Sequence, residues 1–83
     1  SETEKKRLEE RLIEHVKARM HEPQSFQASE TQYRAGADGV IVTLRFEGAD
    51  ALGNAVVQTV QARMEADTAR VVAFRSVSQG PGQ

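Results

Sequence analysis

Asn54-Ala-Val-Val-Gln-Thr-Val-Gln-Ala-Arg-Met-Glu65 satisfies two periods at once, and the choice between them sets the fold. Read as a helix, the segment puts Val56, Val60 and Met64 on one face, with Asn54 as a cap and alanines that favour coiling. Read as a strand, it puts Val56, Val60 and Met64 on one side with Ala62 between them. Val57, Thr59, Gln61 and Arg63 then fill the other side. Four β-branched residues lie within Val56–Val60, and their stiff side chains fit a pleated surface better than a helical turn. The strand is preferred, and the helix stays open as the alternative.

The segments on either side agree with a sheet. On the N-terminal side, Val40, Val42, Leu44 and Phe46 alternate with Ile41, Thr43, Arg45 and Glu47, a strand with one buried face. Phe26–Arg34 is polar and reads as a bulged edge strand, joined to the next by the turn residues Ala35-Gly36-Ala37-Asp38-Gly39. Gly48–Asn54 is a longer connection. Beyond the deciding segment, Ala66-Asp67-Thr68 makes a tight turn, and Val71–Val77 forms a last strand with Val72 and Phe74 inward.

Residues 1–22 differ in kind. They hold 12 of the 23 charged residues, six of each sign, and carry Leu8, Leu12, Val16 and Met20 at every fourth position with Ile13 alongside. That stripe specifies one amphipathic helix. Ser1 and Glu4 fit a capping box, and Pro23 disfavours helical dihedrals at Glu22. The charges read as a solvated helix face.

The expected architecture is therefore α+β: one N-terminal helix packed on a four-stranded antiparallel meander (αββββ). Its core draws on Leu8, Leu12, Ile13, Val16, Met20, Phe26, Tyr33, Val40, Val42, Leu44, Phe46, Leu52, Val56, Val60, Met64, Val72 and Phe74. Eighty-three residues make one small domain, taken as 1–76, with the polar, Gly- and Pro-containing stretch 77–83 as a flexible tail. Leu, Ile, Val and Phe number 18 of 83, so the core is thin.

Composition narrows the chemistry. With no cysteine, disulfides, thiolate zinc sites and cysteine nucleophiles are excluded. Eleven basic against 12 acidic residues leave no global field to attract nucleic acid, and no apolar run is long enough to span a bilayer. His15 and His21 are six apart on a helix and point in different directions, unlike a metal-binding i,i+4 pair. Gly48–Gly53 lacks the Gly-Lys-Ser/Thr ending of a phosphate loop. Neither a cofactor nor a catalytic constellation is expected; an enzyme would have to use Glu47 or Asp50 with His15 in a shared cleft. The outward sheet face, with Ile41, Arg45, Val57, Arg63, Val71 and Arg75, has no aromatics for base stacking. It reads either as an ordinary solvated sheet face or as a surface for a protein partner or for self-association.

Two segments resemble a known group. Met20-His-Glu-Pro-Gln-Ser-Phe26 is similar to the D-P-x-S-F step of small uncharacterised bacterial α+β domains. Leu44–Val57 resembles their aromatic-R-(A/G)-x-N-x-F-G-G-x-V loop, with Asp50, Leu52 and Asn54 in place of Asn, Phe and the second Gly. The resemblance implies a helix followed by strands, with the Gly48–Asn54 loop opening a third strand. It also implies a setting behind a lipoprotein or membrane anchor. A chain beginning at Ser1 without Met agrees with release from a longer or anchored protein. The expected function is a non-catalytic interaction or structural domain of a bacterial cell-envelope protein, facing the periplasm. The alternative is a small cytoplasmic phage- or plasmid-encoded inhibitor or accessory protein acting on a larger assembly.

Overall fold

A computed structural model describes residues 1–82. Helix α1 (Glu2–Lys17) begins at the expected capping box: the Ser1 hydroxyl accepts the Glu4 N–H at 3.3 Å, and Glu4 Oε1 accepts from the Ser1 amine at 2.9 Å. The helix ends a turn before Pro23. Arg19 and Met20 donate to Val16 and Lys17 in tightened i,i−3 bonds, and Arg19 Nη1 donates to the His15 carbonyl at 2.8 Å, satisfying an end group of the helix. A short 3₁₀ turn, Pro23–Ser25, leads into the sheet.

The sheet is an antiparallel meander in the order β1 (Gln27–Gly36), β2 (Gly39–Ala49), β3 (Ala55–Met64), β4 (Val71–Pro81). The deciding segment is therefore extended. Val40 faces Met64, Leu44 faces Val60 and Gly48 faces Val56, in one unbroken register along the centre of the sheet. This register places Val42, Leu44, Phe46, Val60, Ala62 and Met64 on the side that α1 covers with Leu8, Leu12 and Val16. All nine are buried. Tyr33 and Thr31 tie β1 to the helix from the same side, the tyrosine hydroxyl donating to the Lys5 carbonyl at 3.1 Å and the threonine hydroxyl to Glu9 Oε2 at 2.6 Å.

The two edge strands carry the bulges. One lies at Ser29 in β1, between the pairs Ala28–Phe46 and Glu30–Arg45, as the polar edge reading anticipated. β4 has two. Arg63 pairs with Ala73 while Met64 pairs with Val71, which leaves Val72 as the extra residue; a second shift at Thr59/Val60 does the same to Val77.

These bulges correct the sequence reading of the last strand. An odd insertion between Phe74 and Val71 turns both toward the helix, so Val71 packs against the core and Val72 is 42% exposed. Val71 thus leaves the outward face to which it was assigned. Leu52, expected in the core, is 85% exposed at the tip of the β2–β3 loop. Residues 77–81, expected as a flexible tail, continue β4: Ser78, Gln79, Gly80 and Pro81 pair with Thr59, Gln58, Val57 and Val56. Gln83 lies outside the described residues.

Ala69, a core member that periodicity could not single out, is 1% exposed in the left-handed conformation at φ 59°. It closes the β3–β4 turn by donating to the Glu65 carbonyl at 2.9 Å. No helix among the described residues is long and apolar enough to cross a membrane.

Candidate functional site

α1 covers one side of the sheet, and among the described residues no second layer packs on the other. Antiparallel strands tolerate this when the outer positions are polar. The pairing aligns those positions in rows: Arg34–Ile41–Arg63–Ala73, Gln32–Thr43–Gln61–Arg75, and Glu30–Arg45–Thr59–Ser78. Ile41, Arg45, Val57, Arg63 and Arg75 thus share this face as the alternation required, Ile41 and Val57 half-buried among their neighbours and the three arginines exposed. The middle row is stitched by side chains: Gln61 Nε2 donates to Thr43 Oγ1 at 3.3 Å, and Arg75 Nη2 donates to Gln61 Oε1 at 2.9 Å. That ladder fixes one guanidinium in orientation, whereas no ion pair engages Arg45 or Arg63 among the described residues.

A second feature lies on the covered side, where β2 and β3 run past the end of α1. The uncovered sheet there forms a cleft of about 210 Å³ with Phe46, Val56, Val60 and Phe74 among its walls. Met20, Arg19 and His21 close it from the helix end, and Gly48, Ala49 and Asp50 from the strand end. Phe74 is held by a residue of α1 and one just past its end: the His15 ring lies 4.6 Å from it, tilted by 58°, and the Arg19 guanidinium stands 5.8 Å from its centroid. Burial, with Arg19 adding to it, holds the His15 imidazole below the usual histidine range. Sequence reasoning did not find this cluster, since Phe74 and His15 are 59 positions apart; only the i,i+4 spacing of His15 and Arg19 was visible.

The segments Met20–Phe26 and Leu44–Val57 meet at this end. The Ser25 hydroxyl donates to the Glu22 carbonyl at 2.6 Å and accepts the Ala49 N–H at 2.8 Å, and Phe26 stacks on Phe46 at 5.1 Å. Met20 lies so close over Gly48 that a Cβ there would fall 2.5 Å from the methionine methyl.

The groups considered for acid–base chemistry do not converge. Asp50 lines the cleft just described, His15 opens into a different hollow beside Thr68 and Arg70, and Glu47 sits on the outward side of the sheet with Arg45 and Val57. No cluster of three metal-ligating side chains occurs among the described residues. The most perturbed carboxylate, Glu65, serves a turn. Arg70 forks onto it through two 3.0 Å hydrogen bonds and Thr68 donates at 2.7 Å, holding its pKa down to about 2. In comparisons with known proteins the chain matches no family model, no curated protein and no solved structure.

Proposed function

We propose that this chain is a non-catalytic protein-interaction domain of a bacterial cell-envelope protein, and that it engages its partner through the outward sheet face. The observation that supports this reading is the missing second layer. The sheet presents Arg45, Arg63 and Arg75 around a middle of Thr43, Thr59 and Gln61, with Ile41 and Val57 toward its two ends. Arginine is enriched at protein interfaces because its planar head gives several directed hydrogen bonds while its stem covers apolar surface. The Thr43–Gln61–Arg75 ladder lowers the ordering cost of one such contact. The envelope setting rests on the resemblance of Met20–Phe26 and Leu44–Val57 to envelope-anchored domains.

Site-specific photo-crosslinking in the intact bacterium tests the proposal. A crosslinker at Thr43 or Arg63 should capture one discrete protein in the periplasmic fraction, and a crosslinker at Asp38 on the hairpin tip should not. Combined Arg45→Glu, Arg63→Glu and Arg75→Glu substitutions should abolish the adduct formed from Thr43 while leaving the circular dichroism spectrum unchanged. Equal capture from Asp38, or an adduct that survives the charge reversal, contradicts the assignment of the face. Recovery of the protein from the cytoplasm contradicts the setting.

A further inference from the structure

Each strand of the sheet places one arginine on the outward face: Arg34 in β1, Arg45 in β2, Arg63 in β3 and Arg75 in β4. All four are exposed, and among the described residues Glu30 and Glu47 are the only acids in the same rows. The face is therefore +2 in a chain of net charge −1, which leaves the remainder at −3. Its cations are of one kind. The lysines Lys5, Lys6 and Lys17 all stand in α1, and every basic residue of the strands is an arginine. No ion pair engages these four arginines among the described residues, and of their side chains only that of Arg75 is hydrogen-bonded, to Gln61.

The positive charge is graded along the strands. Arg34 and Arg63 share the row nearest the β1–β2 hairpin, about 10 Å apart with Ile41 between them; Arg75 lies one row on, about 7 Å further, and Arg45 another row beyond. Glu30 pairs with Arg45 and Glu47 occupies the next row, so the opposite end is neutral to acidic. An arginine fork matches a planar anion, carboxylate or phosphate. Two observations select the carboxylates of a protein. Single-stranded nucleic acid stacks its bases on aromatics, and Phe26, Tyr33, Phe46 and Phe74, the aromatic residues of this chain, all pack on the helix side. An anionic membrane holds a protein by an unbroken cluster of basic groups, and here two glutamates interrupt four arginines. A polypeptide can set acids over one end of the face and leave the other end uncharged, and Thr43, Thr59 and Gln61 offer it hydrogen-bond partners between the arginines.

We propose that the partner of this face is an acidic protein segment, its carboxylates seated on Arg34, Arg63 and Arg75 toward the hairpin end and its uncharged or basic end over Glu47. The proposal rests on the outward face being a docking surface and adds the chemistry of the partner and its direction. The gradient sets that direction, because a reversed segment would press its carboxylates onto Glu30 and Glu47. It also brings Arg34 into the site, a residue outside the set read from the sequence.

NMR titration of the isotope-labelled chain tests it, with a short polyglutamate peptide, a single-stranded oligothymidine and phosphatidylglycerol vesicles as separate probes. Polyglutamate should shift the Nε–H signals of Arg34, Arg63 and Arg75 more than that of Arg45, and should bind more tightly than either other probe. Arg34→Gln combined with Arg63→Gln should weaken binding about fivefold or more, and Glu47→Gln should tighten it about twofold. Lys6→Gln combined with Arg11→Gln removes as much charge from the exposed side of α1 and should leave the affinity unchanged. Tighter binding of oligothymidine or vesicles overturns the proposal. Equal weakening by the α1 pair, or a Glu47→Gln variant that binds polyglutamate like the parent, does so as well. If the Thr43 crosslinker still captures its protein in the cell after such a result, the docking face stands and only the acidic partner falls; if it captures nothing, both fall.

Discussion

Adding one methyl group at Gly39 tests the central register of the sheet. Gly39 opens β2 at φ +142°, where a side chain is strained, and a Cβ there would stand 2.4 Å from the carbonyl oxygen of Met64. The strain alone costs about 1–3 kcal/mol. The contact adds to it, because Met64 belongs to the backbone of the neighbouring strand, is fully buried, and cannot swing aside as a side-chain tip could. Gly39→Ala must therefore part β2 from β3 beside the core, for a total of about 3–5 kcal/mol. A domain of this length holds about 4–12 kcal/mol in all, so the melting temperature should fall by about 12 °C or more. Gly80→Ala is the internal control. It lies in β4 with nothing within 4 Å of a new Cβ, and alanine there should be neutral or stabilise by about 0.5–1 kcal/mol. Urea unfolding of both variants, followed by circular dichroism, measures the difference. Agreement between the two within about 0.5 kcal/mol would refute the pairing of Gly39 beside Met64.

Three further outcomes follow from the same structure. Val71→Ala should destabilise the protein by about 1 kcal/mol or more and Val72→Ala by no more than about 0.5 kcal/mol, because the bulge buries the first and exposes the second; the reverse order in urea unfolding would place the bulge elsewhere. Ser25→Ala removes the hydroxyl that bridges the Glu22 carbonyl to the Ala49 N–H and should cost about 1–3 kcal/mol, with faster amide exchange at Ala49. Stability should decline in acid between about pH 4.5 and 2. The Glu65 carboxyl is depressed in the folded state, so its contribution is complete above the unfolded value of 4.5 and is lost as pH falls through about 2. Glu65→Gln should flatten this part of the profile, and an unchanged slope would show that the Arg70 contact does not persist in solution. His15, also depressed, adds a gentler decline as pH falls below 6.5, and its imidazole should titrate below that value by NMR.

Local chemistry alone determined the helix, because Ser1 and Glu4 sit three apart and Leu8, Leu12 and Val16 recur on one face. It also determined the inward set Val42, Leu44 and Phe46 by alternation, whereas for 55–64 β-branching only favoured the extended form that pairing with β2 then fixed. The outward placement of Ile41, Arg45, Val57, Arg63 and Arg75 followed from the same alternation. Only the tertiary structure decided that Val71 faces inward, that Leu52 stands free, that 77–81 continue a strand, and that His15, Arg19 and Phe74 gather at one end of the helix. A bulge is a mismatch between two strands, two residues opposing one, and neither strand records it by itself. Likewise, whether an apolar residue in a loop is buried depends on where the helix stops relative to the sheet beneath it, a distance set by packing between segments far apart in the chain.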